Sequence, residues 1–188
     1  TYRNPALTAK IASTIDHISG GRLVLGIGAG WQENEHEKYG FDFSTVKGRL
    51  DRLDEAVEII TSLLANPRTD FDGNHYTIVD APLDPKPLQK KIPLMIGGGG
   101  RKRTLRTAAL HADEWNYWGM PSDIEELCEV LDAHCEDVGR DPNEIQRSAC
   151  ALMFIAEDEE KLARFRGKDF GRATIVGTPS EVIDVVGS

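Results

Sequence analysis

No apolar run in this chain approaches the roughly 20 residues that a membrane-spanning helix needs, and no signal-peptide pattern opens it, so the expectation is a soluble, cytoplasmic protein. Cysteine is scarce. Cys128, Cys135 and Cys150 are odd in number and have no metal-ligand spacing, and they read as buried thiols, the first two on one helix face. An excess of positive charge is also missing: 22 Lys and Arg against 31 Asp and Glu leave a formal net charge of -9. A polyanion binder presents a basic face, so nucleic acid is excluded as a partner. There is no G-x-S-x-G elbow, and His17, His75, His111 and His134 pair with no nucleophile, which leaves hydrolase chemistry without support. The run Glu33-Glu35-His36-Glu37 lacks an H-E-x-x-H pattern, and no metal is expected there. Neither repeats nor low-complexity segments interrupt the 188 residues, which are read as one domain, 1–188.

What is present is an alternation of strand and helix signals. Asn4-Pro5 reads as an N-cap with proline at the first helical position, and Leu7, Ile11, Ile15 and Ile18 mark an apolar face that stops at Gly20-Gly21. Leu23 to Gly28 is a strand candidate, followed by a loop to about Ser44. Val46, Leu50, Leu53, Val57, Ile60 and Leu63 recur at spacings of three and four, which predicts an amphipathic helix over 46–64. Asn66 to Lys91, with its prolines, reads as a long excursion. Further strands are predicted at 93–96, 114–118 and 149–156. Ser122 with Glu125, and Thr178-Pro179-Ser180-Glu181, read as capping boxes of later helices. This alternation specifies a parallel α/β protein with its site in the loops that follow the strands. A dinucleotide fold needs G-x-G-x-x-G, but Gly26 and Gly28 supply only the first spacing and Trp31 stands where the last glycine would be.

The stretch Ile96-Gly97-Gly98-Gly99-Gly100-Arg101-Lys102-Arg103 joins an apolar strand, four glycines and a basic segment read as the first turn of a helix carrying Leu105, Ala108, Ala109 and Ala112. Glycine lets a ligand approach the main chain, and the free amides of a helix start favour an anion. Three cations at a helix N-terminus oppose the macrodipole, which an anion nearby would explain. A phosphate is the natural guest; a glycine-rich loop with a solvated basic edge is the alternative.

In their order, Arg3-Asn4-Pro5, Ile18-Ser19-Gly20-Gly21-Arg22-Leu23, Gly26-Ile27-Gly28-Ala29-Gly30-Trp31, Pro93-Leu94-Met95-Ile96-Gly97-Gly98-Gly99, Ala112-Asp113-Glu114-Trp115-Asn116 and Gly177-Thr178-Pro179 resemble the luciferase-like monooxygenase superfamily. The match is most like its branch of oxidoreductases dependent on the deazaflavin coenzyme F420. The resemblance implies an eight-stranded TIM (β/α)8 barrel, represented here without its first strands and its last, and a homodimer. A chain of these residues alone is therefore expected to be poorly soluble or associated, since exposed sheet edges and apolar faces remain.

The resemblance also implies a cofactor and a set of site residues. Coenzyme F420 is the expected cofactor, with its phosphate against Gly97, Gly98, Gly99 and Gly100 and its acidic tail drawn to Arg101 and its basic neighbours. Flavin mononucleotide (FMN) is the alternative, but Leu7 and Ala29 stand where flavin-dependent relatives carry phosphate-binding arginines. Tyr2 and Asn4 are expected near the ring system, and Asn34 matches a cofactor-contacting asparagine. Asn116, at a strand end, is a further cofactor-binding candidate, or a turn cap. Glu35 is the nearest matching carboxylate, and it and Trp31 are the catalytic candidates. Trp31, Trp115 and Trp118 are expected to wall a pocket or fill the core. The implied activity is hydride transfer between the deazaflavin and an unknown small organic molecule. An FMN-dependent monooxygenase or a non-catalytic flavin-binding protein of the same fold are the alternatives.

Overall fold

Asn4 opens the first helix as the sequence predicts. In the computed structural model, which describes residues 1–187, its side chain accepts hydrogen bonds from the amides of Ala6 and Leu7, and Pro5 occupies the first helical position. This helix, α1 (Pro5–Ser19), ends at Gly20, whose φ of 67° is the left-handed conformation that glycine adopts without strain. Contacts divide the chain into two units. The first is Thr1–Ile96 with His111–Asp113, and the second is Gly97–Leu110 with Glu114 onward.

In the first unit, strand β1 (Leu25–Ile27) is followed by α2 (Glu33–Tyr39), α3 (Val46–Ala65) and the antiparallel hairpin β2 (Arg68–Asp72) and β3 (Thr77–Pro82). Strand β4 (Leu94–Gly97) pairs parallel to β1, with Leu25 opposite Leu94 and Ile27 opposite Ile96. Ala9, Ile59, Ile60, Leu63 and Leu83 form the buried cluster here. The loop expected to run to Ser44 thus contains a helix, and the excursion from 66 to 91 contains a hairpin.

The face of α1 also differs from expectation. Leu7, Ile11, Ile15 and Ile18 are 38% to 81% exposed, whereas Ala9, Ala12, Ser13 and Asp16 are buried. Small residues let the backbones of α1 and α3 approach. The polar pair on that face has specific partners: Ser13 Oγ donates to Pro85 O at 2.6 Å, and Asp16 accepts from the Gln89 backbone and side-chain amides at 3.0 and 2.7 Å.

Glu55, on α3, holds the hairpin tip. Its carboxylate accepts from the amides of Asn74, His75 and Tyr76 at 2.8, 2.9 and 3.0 Å. Hydrogen bonds to a charged acceptor contribute about 1.5–3 kcal/mol each before water replaces them at an accessible turn. Glu55→Ala is therefore expected to cost about 2 kcal/mol, read as a lower urea midpoint at unchanged slope.

In the second unit, α4 (Thr104–His111) is followed by β5 (Glu114–Trp118), α5 (Pro121–Val138), β6 (Gln146–Cys150), β7 (Leu152–Ile155), a short α6 (Glu159–Leu162), β8 (Thr174–Gly177) and α7 (Pro179–Val186). β5 pairs parallel to β6 from Glu114–Gln146 to Trp118–Cys150, and β7 parallel to β8. The single strand expected over 149–156 is therefore two, broken at Ala151 between different partners. Thr178 caps α7 with Glu181 as expected. The box expected at Ser122 and Glu125 shifts by two residues: Asp123 Oδ2 accepts from the Met120 amide at 2.9 Å, because proline at 121 already starts the helix. Of the cysteines only Cys135 is buried, which pushes its thiol pKa up; Cys128 is half-buried and Cys150, at the end of β6, is exposed.

Candidate functional site

The glycine turn leaves β4 in a conformation that its neighbours fix. Gly98 has a φ of 124°, its amide donates to Asn116 O at 3.0 Å, and its carbonyl accepts from Trp115 Nε1 at 2.9 Å. Trp115 is fully buried inside β5, so it belongs to the core and holds the turn through its indole. A Cβ on Gly99 would stand 2.5 Å from Tyr117 Cε2, and one on Gly100 would stand 2.6 Å from Thr104 Oγ1. Glycine is thus set at 98 by its φ, at 99 by packing against the Tyr117 ring, and at 100 by a close approach to the Thr104 side chain. Gly97 ends β4.

Arg101, Lys102 and Arg103 do not lie in the first turn of α4. They form a separate turn before Thr104, where Gly100 O accepts from the Leu105 amide at 3.1 Å and Arg101 O accepts from His134 Nε2 at 2.7 Å. The cations therefore sit beside the helix start, and the conflict with its dipole is smaller than the sequence implied. Arg101 bridges Glu126 at 2.7 Å; its guanidinium donates to the carboxylate and holds that carboxyl below the usual range. Asn116 Nδ2 donates to Ser148 Oγ at 2.9 Å and to Cys150 Sγ at 3.7 Å, which ties β5 to β6 near their carboxyl ends. Trp118 is 41% exposed, with the Arg172 guanidinium 5.0 Å from its ring centre.

The first unit carries the other candidates. Tyr2 Oη donates to Glu35 Oε2 at 3.0 Å, and its ring lies 4.6 Å from the ring of His36 and 4.9 Å from that of Phe41. Tyr2, Arg3, Glu35, Tyr39 and Phe41 line an open cleft of about 330 Å³. Partial burial, then the Glu35 hydrogen bond and charge, raise the Tyr2 phenol above the ordinary tyrosine range. Tyr2 and Glu35, named separately in the sequence reading, thus lie side by side. Asn34 is exposed on α2 beside Glu35, Trp31 is 69% exposed just before α2, and the side chain of Asn4 is occupied as the cap of α1. A second cavity of about 250 Å³ follows β1, lined by Gly26 to Gly30, Arg49, Arg52 and Tyr76 among others.

Two residues escaped the sequence reading. His36 is fully buried: Nδ1 donates to Gln32 O at 2.7 Å, and Nε2 accepts from Thr1 Oγ1 at 3.0 Å. Arg49 is 8% exposed, donates to Gly30 O, Phe43 O and Ser44 O, and stacks 3.8 Å over Phe43. Arg49 was readable, since it lies three residues after Val46 and four before Leu53, on the apolar face of α3. His36 was not, because its partners at Thr1 and Tyr2 are remote in sequence. Among the described residues no group of three or more His, Cys, Asp or Glu is placed to hold a metal ion, and no helix is long and apolar enough to cross a membrane.

Comparison with known proteins adds an independent line. A family model described as luciferase-like monooxygenase matches residues 1–179. The 5,10-methylenetetrahydromethanopterin reductase of Archaeoglobus fulgidus is 34% identical over 96% of this chain and 52% of its own length. The pyrimidine monooxygenase RutA of Cronobacter sakazakii is 31% identical over 88% of this chain and 49% of its own length. This chain therefore spans about half the length of these relatives. Among solved structures, the coenzyme F420-dependent tetrahydromethanopterin reductase from Methanopyrus kandleri superposes with a TM-score of 0.82 at 23% identity, over 99% of this chain and 70% of that one, a likeness of fold.

Proposed function

The chain belongs to the luciferase-like monooxygenase family and has the α/β fold of its barrels, and from that membership we propose that it forms part of a coenzyme F420-dependent oxidoreductase acting on a small organic molecule. The observation that carries this reading is the turn Gly97–Gly100. Its backbone is bare of side chains, it follows a parallel strand, and Arg101, Lys102 and Arg103 come next in a chain of net charge -9. The Gly98 amide already donates to Asn116 O, so the remaining amides of the turn, with the adjacent cations, are what suits a phosphate, and the acidic tail of the deazaflavin suits the basic turn. The relatives support the same reading: one is a methylenetetrahydromethanopterin reductase and one solved structure is coenzyme F420-dependent.

When bound, the deazaflavin supplies a carbon that accepts or gives a hydride. The chain's own residues supply the rest. In the second unit Gly97 to Gly100 and Arg101 would hold the phosphate and tail, and Asn116 would supply a polar edge at the end of β5; in the first unit Tyr2, Asn4 and Asn34 are the residues that the resemblance sets near a ring. Trp31 would offer an exposed ring for a substrate to pack on, and Glu35 would hold or move a proton. The likeness to a pyrimidine monooxygenase favours one second reading, an FMN-dependent monooxygenase.

Fluorescence titration of the whole protein with coenzyme F420 and, separately, with FMN decides between them. Binding of F420 alone is the expected result; preference for FMN moves the chain to the second reading, and binding of neither removes the phosphate role of the glycine turn. The bridge between Arg101 and Glu126 gives a finer check. If Arg101 serves the acidic tail, Glu126 competes for it. Glu126→Gln should then tighten F420 binding and Arg101→Glu weaken it, each by about 3- to 10-fold at low salt, with the difference fading as salt screens the charges.

A further inference from the structure

Aromatic residues make up only 7% of this chain, yet the rings of Tyr2, Tyr39 and Phe41 line a single open cleft of about 330 Å³ beside α2. Tyr39 is 73% exposed, and the Phe41 ring lies 4.9 Å from that of Tyr2. Aromatic area left in water on one wall marks a ligand surface. The two charged residues of the same lining do not neutralise each other. Arg3 is exposed and, among the described residues, makes no ion pair with Glu35 or with any other carboxylate. Glu35 accepts from Tyr2 Oη at 3.0 Å through Oε2, and its Oε1 has no partner among the described residues. Since the only proton of the phenol goes to Glu35, Tyr2 also meets an incoming group as an acceptor. The fully buried His36, its ring 4.6 Å from that of Tyr2, holds these acceptors on a fixed wall. The cleft thus combines a cation without a counter-ion, acceptors that carry a negative charge, and aromatic faces.

We propose that this cleft binds a single-ring aromatic carboxylate that also carries a hydroxyl group. The carboxylate supplies the counter-ion that Arg3 lacks, the hydroxyl donates to Glu35 Oε1 or Tyr2 Oη, and the ring packs against Tyr39 and Phe41. Each part of the ligand excludes an alternative. A protonated amine suits Glu35 but is repelled by Arg3. An aromatic carboxylate without the hydroxyl covers the Glu35 carboxylate and gives it no donor. An alkyl acid forgoes the edge and face contacts with the rings. In a chain of net charge -9, an anion is held only where a cation stands without a partner, and Arg3 is such a place. Size follows from the volume, which lies at the small end of the roughly 300–1,000 Å³ of ligand sites and suits one ring with small substituents. All five lining residues belong to the first unit. The site shares Tyr2 and Glu35 with the function proposed above but needs no coenzyme, so its failure leaves the deazaflavin reading standing, and titration with coenzyme F420 tests that reading separately.

Ligand-observed nuclear magnetic resonance titrations of the whole protein, at low salt and without coenzyme, test the proposal. The probe is 4-hydroxybenzoate, and each analogue changes one part of it. 4-Methoxybenzoate has no donor, 4-hydroxybenzyl alcohol no carboxylate and 4-hydroxycyclohexanecarboxylate no aromatic ring, while tyramine carries the opposite charge. For a small molecule in an open cleft, the expected Kd of 4-hydroxybenzoate is on the order of 0.1–1 mM. Each analogue should bind about 3- to 10-fold more weakly. Variants then assign the contacts. Arg3→Gln should weaken 4-hydroxybenzoate to the level of 4-hydroxybenzyl alcohol, Glu35→Gln should erase its advantage over 4-methoxybenzoate, and Tyr39→Leu its advantage over the cyclohexane acid. Each variant should leave the other two discriminations in place. All three side chains are exposed, so the fold is expected to persist, and unchanged melting curves check that it does. A protein that binds none of the five compounds overturns the proposal. So do equal affinities for 4-hydroxybenzoate and its analogues, tighter binding of tyramine, or an affinity untouched by Arg3→Gln.

Discussion

Coenzyme F420 affinity is expected to fall by roughly 10- to 100-fold when Gly99 is replaced by alanine, a change of one methyl group. The methyl carbon would stand 2.5 Å from Tyr117 Cε2, 3.0 Å from Cδ2 and 3.2 Å from Leu127 Cδ1. A lone aromatic ring could swing aside, but this one has no room. A Cβ built on Gly119 would meet the opposite edge of the same ring, at 2.5 Å from Cε1 and 2.8 Å from Cδ1, so Tyr117 lies in a slot between two glycines. It is also stacked 6.1 Å from Trp115 at an interplanar angle of 15°, and Trp115 holds Gly98. The cheaper response is for the turn to move, and the turn is the proposed phosphate seat. Overpacking of this kind costs about 1–3 kcal/mol; carried by the bound conformation, it is the fold-change stated. Fluorescence titration of Gly99→Ala beside Gly99→Ala/Tyr117→Ala checks the cause. If the slot is responsible, the double variant regains most of the affinity. A single variant with wild-type affinity separates the turn from the coenzyme.

Much of this fold could be read from the sequence because its signals are local. Asn4-Pro5, Thr178-Pro179 with Glu181, and the three-four spacing from Val46 to Leu63 each carry their own start or period, and the structure has helices there. Where the signal is not local, reading failed. α2 has seven residues, mostly acidic or polar, and its buried member is a histidine whose fit depends on Tyr2 and Phe43. The hairpin β2–β3 hides its alternation behind a register shift between Thr69 and Phe71, and its tip is held by Glu55 from a preceding helix. The stripe Leu7-Ile11-Ile15-Ile18 has ideal helical spacing yet lies outward, because spacing identifies a face without saying what it meets.

The candidate site divides in the same way. The glycine turn was legible as a strand-to-helix motif, but the reason for each glycine was not, since it lies in Trp115, Tyr117 and Thr104. The pairing of Tyr2 with Glu35, 33 positions apart, was not read: the resemblance set Tyr2 near the ring and offered Glu35 as the nearest matching carboxylate, each by itself. Arg101 was read as drawn to an acidic tail, and the structure gives it Glu126. Composition reports the charge and cannot report the partner.

Trp115 is where loss of stability and loss of the turn should coincide. Its side chain is fully buried, and truncation of a buried tryptophan costs about 3–5 kcal/mol in lost contacts and residual cavity. Trp115→Ala also strips Gly98 O of the indole N–H that reaches it at 2.9 Å, and loss of that bond at a half-buried residue adds about 1 kcal/mol. At about 2–4 °C per kcal/mol for a chain of this size, the melting temperature should drop by roughly 8–24 °C. Trp115→Phe separates the two effects, since it keeps most of the ring and removes only the donor. That variant should lose about 1–2 kcal/mol, yet bind coenzyme F420 disproportionately poorly, because the missing bond is the one that fixes Gly98 at a φ of 124°. Thermal melts and coenzyme titrations of the pair give the answer together. If Trp115→Phe retains wild-type affinity while Trp115→Ala unfolds, the tryptophan is core alone and the turn owes its shape to Tyr117 and Thr104. If both lose affinity in proportion to stability, the indole hydrogen bond has no part of its own in the phosphate seat.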